Sequence, residues 1–268
     1  MYSYDPEPKF SNLNIDINLK ESLSNHIILP KVFYKKSNIV VLDNVLNETE
    51  CNLIRNIIDN PDDQTENEIY QNHYTNRNKI CINFKSLSEL ILSRCDEYIP
   101  KYVYKYCKII KNLNNSTNKM YWNFKSFNDS WRLAKCNIGS SLRRHFDGAL
   151  INSVDEKSIY TIMLYLNESD GDIRFINGLS FSPKCGRLLI FNQSLEHEGL
   201  VNEKEIKYFI RTELMYTREE RVETEKDILA FEKYQDAKNY IHSDAEKSAK
   251  LESDAFELSP LLESLILE

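Results

Sequence analysis

The sequence predicts an α+β chain with a mainly β core, a sandwich or barrel of short strands flanked by helices. Three observations carry this. From about residue 121 to residue 216, short apolar or alternating segments rich in Thr, Ile, Tyr and Phe recur between turn signals. Before and after that stretch, apolar residues recur three and four positions apart, as on one face of a helix. The 268 residues, 41% hydrophobic and 28% charged, have the length and balance of a globular chain able to bury a core.

In order, residues 1–37 read as a loosely structured lead-in ending in a strand. IVVLDNVL (39–46) is an apolar run bounded by polar turn residues and reads as a strand. Asn47 is placed to cap a helix whose apolar positions are Cys51, Ile54, Ile57 and Ile58. Pro61–Asn78 is polar and reads as a loop. Leu87, Leu90, Ile91, Cys95 and Tyr98 then recur at helical spacing. The strand candidates follow as WRLAKC (131–136), SIYTIMLYLN (158–167), DIRFI (172–176), GRLLIFN (186–192) and IKYFIRTELMY (206–216), separated by Asp170–Gly171, Asn177–Gly178 and Ser182–Pro183. After residue 217 the pattern is helical again, with Tyr234, Ala237 and Ile241 on one face, and Ser259 and Pro260 as cap and first residue of a last helix.

These elements divide the chain into a lead-in (1–37), a domain over 38–216 with helical support to 120 and a β core from 121, and a helical acidic extension over 217–268. A net charge of −7 disfavours a long grip on phosphate backbone. The polar N-terminus has no apolar run of signal-peptide type, and no segment is long and apolar enough to span a membrane. The six cysteines are scattered without CxxC spacing. The expectation is therefore a cytoplasmic or otherwise intracellular protein with free thiols and no membrane partner, with nucleic acid disfavoured as a partner.

The chemistry concentrates in RRHFDG (143–148) and LEHEG (195–199). On an extended strand His145 and Asp147, two apart, point to the same face. His197 follows just past a strand. Two histidines and one carboxylate form a facial triad that leaves open positions on an octahedral metal, as non-haem iron(II) requires. Catalytic zinc also accepts such a ligand set. A cationic partner for a cosubstrate carboxylate separates the two metals. On the strand after His197, Lys207 and Arg211 share a face, and a buried carboxylate needs such a cation.

NDSWRLAKCNIGSSLRRHFDG (128–148), YTIMLYLNESDGDIRFI (160–176) and PKCGRLLIFNQSLEHEGLVNEKEIKYFIRTELMY (183–216) together resemble the prolyl 4-hydroxylase-like branch of the iron(II)/2-oxoglutarate-dependent dioxygenases. The resemblance spans roughly residues 38–216. It implies a double-stranded β-helix (jelly roll, cupin-like) with flanking N-terminal helices and a helical C-terminal tail. It implies iron(II) on His145, Asp147 and His197, 2-oxoglutarate anchored by Lys207 with Arg211 as second partner or rival anchor, and Thr161 and Tyr165 lining the cosubstrate strand. Dioxygen would be the oxidant, with ascorbate as an accessory reductant. The reaction would hydroxylate a C–H bond and release succinate and carbon dioxide. The presence of Asp147 points to hydroxylation rather than halogenation. A prolyl or other amino-acid residue in a protein is the leading substrate. A free amino acid or small metabolite is the alternative, and a non-catalytic binding module or a zinc hydrolase of similar architecture are the rival classes. Cys136, Asp170 and Leu164 depart from the branch's pattern at positions near the cosubstrate.

Overall fold

A computed structural model describes residues 30–62, 69–73, 75–111 and 117–267. The first 29 residues of the expected lead-in, and residues 63–68 and 74 of the expected loop, lie outside the described residues. In chain order the elements begin with β1 (Lys31–Lys36), β2 (Ile39–Asp43), α1 (Glu48–Asp59), β3 (Tyr70–Asn72), β4 (Arg77–Asn83), α2 (Lys85–Cys95) and α3 (Lys101–Tyr104). Next come β5 (Lys105–Lys111), β6 (Thr117–Phe127), β7 (Ser130–Cys136), β8 (Leu142–His145), β9 (Ile151–Ser153) and β10 (Glu156–Tyr165). The rest are β11 (Ile173–Phe175), β12 (Ser180–Phe181), β13 (Leu188–Asn192), β14 (His197–Gly199), β15 (Lys207–Arg218), α4 (Glu225–Tyr240), α5 (Ala245–Leu258) and α6 (Pro260–Ile266).

The chain forms two compact units. One comprises the described residues up to Pro100, Phe127–Gly148 and Tyr160–Leu214. Its larger sheet has the strand order β1-β2-β13-β10-β15-β7-β4-β3, and its smaller one β12-β11-β14-β8. The pairings are antiparallel in both. This mainly β core of two sheets with accompanying helices is the double-stranded β-helix arrangement.

The register explains why its central strands read as continuous apolar runs. Val41 pairs with Leu189 and Leu189 with Met163, while Ile39 pairs with Phe191. These side chains form one cluster with Tyr165, Ile173, Phe175 and Phe181. The alternate residues Val40, Leu42, Ile162, Leu164, Leu188 and Ile190 are also fully buried. A strand buried on both faces has no polar face to alternate with. Leu164 therefore points away from the face carrying Met163 and Tyr165.

The helices obey local rules. Asn47 caps α1, accepting from the Glu50 backbone N–H at 2.8 Å while Glu50 accepts the Asn47 N–H at 2.9 Å. Glu50 is itself buried and is held through both oxygens by Arg94 of α2, at 2.7 and 2.9 Å.

The polar stretch Pro61–Asn78 contains β3 and the start of β4, so it is not simply a loop. Its polar composition hid a strand that carries charged residues on one face. Strands β3 to β6 also lie before or across residue 120, where the sequence suggested helical support.

The second unit comprises Lys101–Ser126, Ala149–Ile159 and Met215–Glu268. It contains the β5–β6 hairpin, with Lys105 opposite Asn123, and β9 paired with the start of β10. Its last three helices begin at caps. Thr224 and Asp227 form a capping box, Asp244 caps α5, and Ser259 caps α6 with Pro260 in the first turn. Ala237 is buried and Tyr234 stacks on Phe256, whereas Ile241 lies past the end of α4 and is exposed, so it does not continue the expected face. No helix among the described residues is long and apolar enough to cross a membrane. The cysteines are free thiols.

Candidate metal and cosubstrate site

His145 ends β8 and His197 opens β14, and the two are directly paired across the antiparallel ladder. Their rings stand 4.4 Å apart, centroid to centroid. Each histidine sets its Nδ1 against a carbonyl two residues back, Arg143 O for His145 and Leu195 O for His197, both at 2.9 Å. An Nδ1–H donated to a carbonyl leaves the Nε2 lone pair free for a metal. The Phe191 and Phe175 rings pack against His197 at 4.9 and 5.7 Å and hold its ring in place.

Asp147 lies just beyond the end of β8 rather than on the strand, so strand alternation alone does not place it. Phe146, between His145 and Asp147, is exposed. Side chains place Asp147 instead. Thr161 Oγ1 donates to Oδ2 at 2.6 Å, and Arg211 Nη1 donates to Oδ1 at 2.8 Å. His145 Nε2 is 3.7 Å from Oδ1 and His197 Nε2 is 4.0 Å from Oδ2. One ligand atom from each of the three residues lies within 4.8 Å of the others. Burial opposes ionisation of the carboxyl, but Arg211, His197 and the Thr161 hydroxyl outweigh it and hold its pKa at about 2. Burial, and then the neighbouring His197, lower the pKa of His145. The donor set is thus two imidazole Nε2 atoms and a carboxylate. It fits a divalent metal of the iron or zinc kind.

The triad borders a cavity of about 500 Å³. Its floor lies on a grid of three rows on one face of the larger sheet, of which all but Cys136 line the cavity. Arg77, Cys136 and Lys207 form the first row; Lys79, Ala134 and Phe209 the second; Cys81, Arg132 and Arg211 the third. Rows two residues apart along a strand are separated by about 6.7 Å, so the outer rows stand roughly 13 Å apart.

Lys207 and Arg211 both line this cavity, but they have different neighbours. Arg211 is engaged by Asp147. Lys207 is buried and donates to the Gly171 carbonyl at 2.6 Å. Burial lowers its pKa. Gly171 has φ +83, and a Cβ there would meet Asn202 Cβ and Leu200 O at 2.9 Å, so only glycine can present that carbonyl. Asp170, which departs from the family pattern, accepts the backbone N–H groups of Glu203, Lys204 and Glu205 and fixes the turn leading to β15. Thr161 lines the cavity and bonds Asp147. Tyr165 is buried at the cavity wall with its ring edge-on to Phe209, and burial pushes its hydroxyl far above the ordinary range, so it is a neutral phenol.

The sequence reading missed Arg77, Lys79 and Arg132. The signal for the first two was the alternation Arg77, Lys79, Cys81 against Ile80 and Ile82, overlooked because the strand begins inside a polar segment. Arg132 is held by the Glu213 carboxylate.

Residues 131–212 match the family model of the 2OG-Fe(II) oxygenase superfamily. No curated protein matches the chain. Among solved structures, the chain is similar to a viral collagen prolyl hydroxylase from Paramecium Bursaria Chlorella virus-1 in complex with 2OG, at 17% identity and TM-score 0.45, covering 68% of this chain and 96% of that one. It is similar to a Pseudomonas putida prolyl-4-hydroxylase at 15% identity and TM-score 0.44, covering 66% and 92%. A Trichoplax adhaerens prolyl hydroxylase, in complex with a hypoxia inducible factor oxygen degradation domain peptide fragment, matches at 15% identity and TM-score 0.45, covering 66% and 83%.

Proposed function

We propose that this chain, whose residues 131–212 match the 2OG-Fe(II) oxygenase family model, is a dioxygenase in which His145, Asp147 and His197 hold iron(II) and Lys207 anchors 2-oxoglutarate. One observation carries the reading: two Nδ1-locked histidines and a doubly hydrogen-bonded aspartate converge beside a cavity whose floor holds a buried lysine. Iron(II), when bound with 2-oxoglutarate and dioxygen, supplies the oxidising power for C–H hydroxylation, with succinate and carbon dioxide as co-products.

The chain's own residues do the positioning. The two carbonyl-bound imidazoles present fixed nitrogen donors. Thr161 and Arg211 each take one carboxylate oxygen of Asp147 and keep its orientation. Phe175 and Phe191 shield the buried side of His197 from water. His145 is the more open ligand, 31% exposed at the side chain against 6% for His197, so the primary substrate approaches past His145 and Phe146. The proposed substrate is a prolyl or other amino-acid residue in a protein, with a free amino acid or small metabolite as the alternative.

The test is succinate release from 2-oxoglutarate, measured with peptides and with free amino acids under iron(II) and, separately, zinc(II). The expected result is release with iron(II) alone, abolished in His145→Ala and Asp147→Ala proteins that retain their melting temperature. Metal-dependent hydrolysis under zinc with no succinate would overturn the reading.

A further inference from the structure

Arg77 and Lys207 flank Cys136 in the first row of the cavity floor, on either side of β7. Both side chains line the cavity, and both are buried, 5% and 4% exposed. Neither has a carboxylate ion-pair partner among the described residues, whereas the third-row cations do: Arg132 meets Glu213 and Arg211 meets Asp147. A buried cation without a counter-ion is costly, and two in one row more so.

The guanidinium of Arg77 is aimed. Its Nε donates to Ser140 Oγ at 3.1 Å, and that hydroxyl donates to Thr75 O at 2.7 Å. Its Nη2 lies 3.7 Å from where a β-carbon on Gly199 would stand, and Gly199 is itself a lining residue two positions beyond His197. Lys207 is aimed likewise by the Gly171 carbonyl.

We propose that Arg77 and Lys207 together form a two-cation clamp for the distal carboxylate of the 2-oxo acid, making Arg77 a specificity-determining residue that selects dicarboxylate over monocarboxylate cosubstrates. The proposal rests on the iron and 2-oxoglutarate reading above. The two cations sit at the end of the floor opposite the Arg211–Asp147 pair, so a dicarboxylic 2-oxo acid chelating a metal at the triad would extend its far end toward them. Arginine offers paired N–H donors and lysine a point charge, so one carboxylate can satisfy both.

The test is calorimetric titration of the anaerobic, iron(II)-loaded full chain with 2-oxoglutarate and with 2-oxopentanoate, which keeps the 2-oxo acid head and replaces the distal carboxylate by a methyl group. Wild type is expected to favour 2-oxoglutarate strongly. Arg77→Gln is expected to weaken 2-oxoglutarate about tenfold or more while leaving 2-oxopentanoate unchanged, with Arg77→Lys restoring part of the loss. An Arg77→Gln protein that binds both acids as wild type does, or loses both equally, overturns the clamp and leaves the oxygenase reading standing. A wild-type protein that binds iron(II) but neither acid overturns the oxygenase reading, and the clamp with it.

Discussion

Thr161 and Arg211 sit beside Asp147 as though they shared a task, yet they act on different oxygens. Each should therefore contribute separately to the metal site. Thr161→Val is expected to weaken iron(II) affinity roughly 10- to 100-fold without unfolding the protein, as loss of a hydrogen bond behind a ligand does. Competition against a chromophoric chelator checks it, and unchanged affinity would remove Thr161 from the site. Lys207 and Arg211 should separate in the same way. Lys207→Met is expected to raise the 2-oxoglutarate requirement with metal affinity kept, and Arg211→Met to weaken metal affinity first. Titrating each ligand against each variant reads the split, and equal losses in both titrations would contradict it. That His145, Asp147 and His197 come together was legible because their order along the chain is a chemical constraint that survives in one dimension. Their partners were not. Thr161 as the Asp147 donor, and Arg211 as its ion pair rather than a twin of Lys207, depend on three strands meeting. Arg77 was hidden for a different reason, in a charged strand that looks like a loop.

At the scale of elements, the strands buried on both faces were read from their uninterrupted apolar runs, and the helices from the three- and four-residue spacing of apolar positions, with caps at Asn47 and Ser259. The two- to four-residue strands β8, β11, β12 and β14 carry the two candidate metal-binding histidines or pair beside them, and most are too short to show a period. Strand pairing at the far side of the core is tied by charge. Arg187 donates to both oxygens of Asp43, at 2.6 and 3.1 Å, joining the end of β2 to the approach of β13. Burial raises the Asp43 pKa, but the Arg187 bonds and charge more than reverse it, and the net shift is downward. A carboxyl whose folded pKa is depressed contributes stability that is present above its unfolded value, about 3.9, and is lost as pH falls through the folded one. Asp43→Asn is thus expected to cost about 1–3 kcal/mol at neutral pH. The gap to wild type should close as the pH falls below about 4, in denaturant melts at stepped pH. A gap independent of pH would mean that the pair contributes shape rather than charge. Gly186, beside Arg187, tolerates no side chain, since a Cβ there would stand 2.0 Å from Leu46 O.

On the scale of the whole molecule, the chain carries a net charge of −7, yet basic side chains outnumber the single carboxylate, Asp147, among the residues lining the cavity. Average composition reports on solubility and non-specific binding and misses such a local reversal, because charges brought together by pairing are far apart in sequence. A cavity of this sign attracts small anions, and 2-oxoglutarate affinity is expected to fall as ionic strength rises. The alternation of helical and strand-rich texture foretold a β core with flanking helices, but the division into two units, each assembled from three separate stretches, is a property of contacts and not of segments. The central claim is that His145, Asp147 and His197 hold an iron that chelates 2-oxoglutarate. Its most direct measurement is anaerobic titration of the protein with iron(II) and then 2-oxoglutarate, followed by visible absorption. A weak metal-to-ligand charge-transfer band that needs both additions, and is absent in Asp147→Ala, is the predicted result. Metal bound tightly with no band on adding 2-oxoglutarate would contradict the claim and point to zinc chemistry or a binding module.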